Sequence, residues 1–301
     1  MNAYKISILF SMKTIIEKAG VLIEAMPYIR SFRGAIVVIK FGGSAMEDKT
    51  CHDGILADAA FMECAGLKPV IVHGGGKAIS RRMAKEGIQP VFINGLRVTD
   101  AAGVRLVEEV LNHEVNVELV ETLIACGAQA AGIQGPSILR AEKFKPLDPR
   151  TRQPVDLGFV GKVVQVDTAP VQACLEAGLI PVITPLGRDS AGNVYNINAD
   201  DAAGALAQAL KARKLVFLSD VPGLMKNPKD PHVIMSTVSR REVEDLIRTG
   251  VIDGGMLPKI QGALDALAAG VGKIHIIDGR LPHSLLLEIF TDKGIGTEIV
   301  Q

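Results

Sequence analysis

The sequence predicts an α/β fold: a mainly parallel central sheet with helices on both faces, preceded by a separate N-terminal helix. Three observations carry that prediction. Short β-rich runs recur at 35–40, 70–73, 130–134, 180–184, 215–219 and 274–278, with helix-length segments between them. Crossovers of that length fit parallel pairing and right-handed connections. Several of these runs also end on glycine or polar turns, as strands do where a parallel sheet presents its carboxyl ends to a ligand. Finally, 301 residues that are 48% hydrophobic suffice for one large domain or two lobes sharing a core.

Residues 13–30 place Ile15, Ile16, Ala19, Leu22, Ile23 and Met26 close to a helical period. Pro27 and Ser31-Phe32-Arg33-Gly34 are expected to end that helix. Its apolar face must be covered either by its own domain or by another subunit. Ala35-Ile36-Val37-Val38-Ile39 then reads as the first strand, and Val70-Ile71-Val72 as the second. Val104, Val107, Leu111, Val115 and Leu119 mark a helix, as do Ala202, Leu206 and Leu210. Residues 141–168 break the rhythm: Pro146, Pro149 and Pro154 mark turns, and Val160, Val163, Val164 and Val166 suggest a small hairpin over the sheet edge. The turn-rich Gly187-Arg188-Asp189-Ser190-Ala191-Gly192 reads as a hinge. The domains expected are therefore an N-terminal extension over 1–34, one lobe over 35–187 and a second over 188–301.

Two lysines point to phosphoryl chemistry. Lys40 ends the first strand and is followed by Phe41-Gly42-Gly43; Lys259 follows Gly254-Gly255-Met256-Leu257-Pro258 and opens a helical pattern. His73-Gly74-Gly75-Gly76 adds a third glycine cluster between a strand and a helix. Such turns expose backbone N–H groups and a helix N-terminus to an anion, and phosphoryl transfer is mostly placement and charge neutralisation. Neither common nucleotide fingerprint fits. Lys77 follows the glycines at the wrong spacing for a P-loop, and position 79 is Ile where G-x-G-x-x-G needs its third glycine. Arg97, in Asn94-Gly95-Leu96-Arg97-Val98-Thr99-Asp100, is either a solvated charge or a bidentate grip on a carboxylate, and Thr99 or Asp100 could cap the next helix. Asn196-Ile197-Asn198-Ala199-Asp200-Asp201 carries more polar side chains than one cap requires. Asp200 is assigned to orient the two lysines, with Asp200 or Asp201 as the cap. Ser219-Asp220-Val221-Pro222-Gly223-Leu224 is a polar turn after a buried strand, placed to hold adenine or ribose.

Composition excludes other classes. The 33 basic and 33 acidic residues cancel, so no nucleic acid or anionic membrane is expected as partner. Trp is absent, aromatics are 4%, and no stretch of about 18 apolar residues occurs. Cys51, Cys64, Cys126 and Cys174 are scattered without zinc-ligand spacing and read as buried, reduced thiols of a cytoplasmic protein. Residues 6–10 are too short for a signal-peptide core, and Met12 is a second candidate start. His52, His113 and His232 lack partners and read as surface or packing residues.

Taken in order, Val38 to Gly43, Val72 to Gly76, Asn94 to Thr99, Asn196 to Asp200, Leu218 to Gly223 and Gly254 to Lys259 resemble the motifs of the N-acetyl-L-glutamate kinases, across essentially 35–300. The resemblance implies the amino-acid kinase fold, a three-layer αβα sandwich with an acceptor lobe and an ATP lobe. It implies transfer of the ATP phosphoryl group to the side-chain carboxylate of N-acetyl-L-glutamate, with Mg²⁺ carried by the nucleotide and no protein metal site. By motif, Lys40 and Lys259 would stabilise the migrating phosphoryl group and Asp200 would organise them. Gly75, Gly76, Arg97 and Asn196 would hold the acceptor; Gly42, Gly43, Ser219, Asp220 and Leu224 would line the ATP side. A carboxylate acceptor is already ionised at neutral pH, so no general base is needed. The N-terminal helix, with Pro27-Tyr28-Ile29-Arg30, resembles the extension of arginine-inhibited hexameric members. His275, Glu288 and Gly294 resemble their inhibitor segment, and some relatives bind the PII nitrogen-signalling protein. Lys77 stands where proline is frequent, and Glu298 where methionine is. Rival readings are a kinase of the same fold acting on carbamate, aspartate, glutamate or uridine monophosphate, and a non-catalytic sensor of arginine or a nucleotide. Retention of both lysines disfavours the sensor.

Overall fold

A computed structural model describes residues 2–93, 95–148, 151–226, 234–252, 256–291 and 294–301, without the side chains of 2–11, 13–15, 18 and 258. Asn94, Pro149, His232, Gly254 and Gly255 therefore lie outside the described residues, and so does the side chain of Ile15.

The helices are α1 (Asn2–Phe32), α2 (Lys49–Cys64), α3 (Gly76–Lys85), α4 (Ala101–Glu109), α5 (Asn116–Ala125), α6 (Ala169–Glu176), α7 (Ala199–Ala209), α8 (Arg240–Arg248), α9 (Met256–Ala268) and α10 (Ser284–Ile289). The strands are β1 (Ile36–Phe41), β2 (Lys68–His73), β3 (Phe92–Ile93), β4 (Leu96–Arg97), β5 (Ala130–Ile133), β6 (Leu139–Lys143), β7 (Val160–Val166), β8 (Ile180–Ile183), β9 (Leu186–Arg188), β10 (Val194–Ile197), β11 (Lys214–Ser219), β12 (Thr237–Ser239), β13 (Lys273–Asp278) and β14 (Thr297–Val300).

All six anticipated runs join one eight-stranded sheet, ordered β12-β14-β13-β11-β1-β2-β8-β5. Every pairing in it is parallel except β13 with β14. Because strand side chains alternate faces, the sheet divides two cores. Val38, Val70, Val72, Leu215, Phe217 and Ile274 pack with residues of α6, α7 and α9. Val37, Ile39, Phe41, Ile71, Val216 and Leu218 pack with residues of α2, α3, α5 and α10. Two cores on opposite faces give the three-layer αβα arrangement. The predicted helix over 104–119 is present and runs from α4 through a π-helical segment (Val110–Val115) into α5, with Val104, Val107, Leu111, Val115 and Leu119 all buried.

Four expectations are corrected. The segment read as a hairpin is two strands of a closed four-stranded barrel, β10-β7-β6-β9, in which β6 and β7 pair antiparallel but β7 also pairs parallel with β10. Sequence-distant strands supply the other half, so local pattern showed only the hairpin. Pro27 sits inside α1, which ends only at Phe32. Cys64 and Cys126 are exposed, though all four thiols are free. The helix cap before α7 is Asn198, neither aspartate; its side chain accepts from Asp200 N–H.

The face of α1 is not covered by its own domain: Ile16, Leu22 and Ile23 are each 64% exposed, while Tyr28, Ile29 and Phe32 pack on the core. Among the described residues no helix is long and apolar enough to cross a membrane.

Candidate active site

The parallel order β11-β1-β2 sets the carboxyl ends of three strands side by side, and each ends on a predicted motif. Lys40 is in register with Val72 of β2 and Phe217 of β11. Phe41 O accepts from Gly74 N–H at 2.7 Å, tying the two glycine turns together. Both turns need glycine for a stated reason. A Cβ on Gly42 would lie 3.0 Å from Lys40 Nζ, and one on Gly75 would lie 2.4 Å from Leu111 Cδ2. Gly43 has φ +73, and its Cβ would sit 2.9 Å from Asp220 Oδ1.

Asp200 lies in the first turn of α7, and Lys259 in the first turn of α9. Lys259 Nζ donates to Asp200 Oδ2 at 3.1 Å, and Lys40 Nζ forms an ion pair with Oδ1 at 2.9 Å. The oxygen facing Lys40 makes no aligned hydrogen bond, so that contact is mainly charge attraction. Burial pushes the Asp200 carboxyl up, but the two ammonium groups outweigh it and hold the group below the usual carboxylate range. Burial pushes Lys259 below the ordinary lysine value, opposed by Asp200 and reinforced by Lys40. Lys259 also lies 5.3 Å from the centre of the Phe217 ring. Asp201, beside Asp200, is raised to about 6 by burial and by that neighbouring charge.

A cavity of about 230 Å³ runs from Lys40 and Asp200 past Gly75 and Gly76 to Arg97 and Asn196. Arg97 is 7% exposed. Its Nη2 donates to Gly76 O and Ser80 Oγ, both at 2.8 Å, and its guanidinium lies 4.7 Å from the centre of the Phe92 ring. Every partner is neutral, and no carboxylate pairs with it among the described residues. Desolvation alone lowers its pKa. A buried cation with no counter-charge favours an incoming anion. Asn196 lies on β10, outside the main sheet, and its Nδ2 donates to Thr99 Oγ1 at 3.4 Å. Asp100 is the cap of α4, accepting from Gly103 N–H at 2.7 Å. His73 is buried, bonded to Gly74 O and facing Asn116, and desolvation lowers it to about 4, so it is neutral at pH 7.

The second predicted group is arranged differently. Asp220 Oδ1 accepts from Ser44 N–H at 3.0 Å and Ser44 O–H at 2.6 Å, which pins the turn after Lys40. Ser44 is the residue sequence reading missed, because a partner 176 positions away leaves no local signal. Ser219 is 9% exposed at the end of β11. The Leu224 side chain is in the core, and its N–H donates to Thr297 Oγ1 at 2.7 Å.

His275, Glu288 and Gly294 meet elsewhere, around a cavity of about 180 Å³ also lined by Tyr28, Lys214 and Glu298. Glu288 Oε1 is 2.5 Å from His275 Nδ1, while Oε2 accepts from Ile295 N–H at 2.8 Å and Gly296 N–H at 3.2 Å. Glu298 is paired with Lys273 at 2.7 Å and lies 3.8 Å from His275 Nε2. His52, read as a surface or packing residue without a partner, is buried against Phe41 and meets Asp53 Oδ1 at 3.0 Å; His113 is exposed.

Comparison with known proteins agrees with this arrangement. The sequence model of the amino acid kinase family matches residues 35–278. An acetylglutamate kinase of Heliobacterium modesticaldum is 47% identical over 95% of this chain and 99% of its own length. One from Symbiobacterium thermophilum is 47% identical over 95% and 98%. An N-acetylglutamate synthase from Neisseria gonorrhoeae, solved with coenzyme A and N-acetyl-glutamate, superposes with a TM-score of 0.82 at 28% identity, over 94% of this chain and 63% of that one. A carbamate kinase from Giardia shares the fold alone, at 17% identity and a TM-score of 0.64 over 89% and 99% of the two chains. The chain belongs to the amino acid kinase family, and the relatives it matches over nearly their whole length are acetylglutamate kinases.

Proposed function

We propose that the protein transfers the γ-phosphoryl group of ATP to the side-chain carboxylate of N-acetyl-L-glutamate, giving N-acetyl-L-glutamyl 5-phosphate and ADP in arginine biosynthesis. The observation that carries the reading is the single carboxylate of Asp200 shared by Lys40 and Lys259. A carboxylate oxygen of the acceptor attacks phosphorus, an O–P bond forms, and the bond to the ADP oxygen breaks. No proton moves to or from the attacking oxygen, so no base is required. The chain's task is to keep the negative charges of acceptor carboxylate and nucleotide phosphates together, and two ammonium groups aimed at one place do that. In this reading Arg97 and Asn196 hold the acceptor's other end, with N–H groups of Gly75 and Gly76 along it. Gly42, Gly43 and the Ser219–Asp220 turn face the nucleotide, and Leu224 contributes backbone only. Mg²⁺ enters on the phosphates, since Asp200 has both oxygens engaged by lysines. The lobe over 35–187 serves mainly the acceptor and that over 188–301 mainly the nucleotide, with Asn196 reaching the acceptor from the second lobe and Gly42 and Gly43 the nucleotide from the first.

The same reading makes the cavity at His275, Glu288 and Gly294 a site for arginine as feedback inhibitor. Two carboxylates and the positive-φ turn at Gly294 (φ +59) suit a guanidinium and a carboxylate. Tyr28 of α1 lines that cavity, so the N-terminal helix links inhibition to assembly, which we take as a hexamer built through α1. PII binding is left to the relatives.

Incubation with ATP, Mg²⁺, N-acetylglutamate and hydroxylamine tests the activity. An acyl phosphate gives a hydroxamate; glutamate, aspartate and carbamate should give far less. A hydroxamate from none of these acids would transfer support to the sensor reading.

A further inference from the structure

The small barrel borders a second cavity, lined by two arginines of β6 and β9 and by residues of β7. In its register Gln165 of β7 faces Arg140 of β6, and Arg140 faces Arg188 of β9. Residues in register on neighbouring strands point the same way, so one amide and two guanidinium groups form a row across three strands. All three side chains are exposed, and none has a hydrogen-bond or ion-pair partner among the described residues. Like charges directly opposite on paired strands are destabilising. Elsewhere the chain surrounds an arginine with acids, as at Arg82, which meets Glu86, Glu109 and Glu114. Here that compensation is missing.

The row borders a cavity of about 490 Å³ that shares no residue with the catalytic cleft. Its remaining polar lining adds one uncommitted hydroxyl, that of Thr168. Thr168 stands at the N-cap of α6 but its hydroxyl makes no capping bond. Ser137 Oγ spends its hydroxyl hydrogen on Gln134 O at 2.7 Å and offers an anion no further donor. The one acid on the rim, Asp167, accepts from Ala169 N–H at 3.1 Å and pairs with neither arginine.

We propose that Arg140, Arg188 and Gln165 bind a small oxyanion of two negative charges, of the phosphate type, that bridges β6 to β9. Two planar guanidinium groups suit a tetrahedral oxyanion, each offering paired N–H donors, and the anion removes the repulsion that the register imposes. Since β9 pairs with β10, which carries Asn196, the bound anion would brace the strand pair behind the acceptor end of the cleft. The proposal is independent of the reaction assigned above.

Titration of the full-length protein with inorganic phosphate by calorimetry, at constant low ionic strength, tests it against the phosphate affinity of the catalytic cleft. Wild type and Lys40→Ala should both retain the peripheral site. Arg140→Ala with Arg188→Ala should weaken it by about tenfold or more, and each single substitution should weaken it less. Both residues are exposed, so the double variant should keep its turnover, which verifies folding; Arg188→Gln alone serves if it does not. Sulfate should compete, whereas chloride at matched ionic strength should not. Phosphate uptake that survives the double variant, disappears in Lys40→Ala or is mimicked by chloride overturns the proposal. So does an acidic polypeptide binding there where phosphate does not.

Discussion

At the residue scale, catalysis rests on charge held in a buried place. Lys40 and Lys259 are the two groups expected to follow the phosphoryl group, so replacing either with Ala should lower kcat by about 10²–10³. KM for both substrates should change far less; steady-state kinetics on each variant decide this. A pH profile adds a sign. Lys259 acts only when protonated, and burial has already moved it below the ordinary lysine value, so activity should decline on the alkaline side earlier than a free lysine would dictate. Asp200 raises Lys259, so Asp200→Asn should move that decline toward neutral pH. An alkaline limb unmoved by the substitution would contradict the coupling. Most of this cluster was legible in the sequence, because lysines beside glycines and an aspartate in a polar run leave a local trace. What was not legible needed three dimensions. Ser44 meets Asp220 across the chain, Phe92 lies under Arg97, and Asn198 takes the cap and thereby leaves Asp200 for the lysines.

Elements position those residues through close approach. The turn before α3 sits against the π-helical segment at Leu111, where a Cβ on Gly75 would overlap the Leu111 side chain. Gly75→Ala should therefore cost about 1–3 kcal/mol of stability, read as a lowered Tm, and should weaken acceptor binding. The clash is with the far end of one side chain, so adding Leu111→Ala should recover part of the acceptor binding even though Leu111→Ala opens a cavity of its own. Losses that simply add would show that the two elements are not coupled there. Sequence periodicity found β1, β2, β5, β8, β11 and β13 because buried parallel strands are continuous apolar runs. The barrel escaped it: β9 and β10 have three and four residues, and their pairing with β6 and β7 is long-range. Pro27 was read as a stop, yet α1 continues to Phe32.

For the whole molecule, α1 is the open question that the fold poses and an assembly would answer. Val21, Leu22 and Ile23 are each 64% exposed on a helix whose far end closes the cavity at Glu288. Isolated apolar side chains on a surface are ordinary, but a run of them along one helix calls for a partner. Deleting residues 1–30 should reduce the oligomer, measured by light scattering, and abolish inhibition by arginine while leaving phosphoryl transfer intact. A truncated protein that still responds to arginine would separate the helix from regulation.

The central claim is that two lysines more than two hundred positions apart serve one migrating phosphoryl group. A structure of the protein with ADP, Mg²⁺, N-acetylglutamate and a planar phosphoryl mimic tests it most directly. Both Nζ atoms should lie within about 3 Å of the mimic's equatorial ligands, at hydrogen-bonding distance, with Asp200 still between them. Either ammonium group turned away from the mimic and bonded elsewhere would contradict the account.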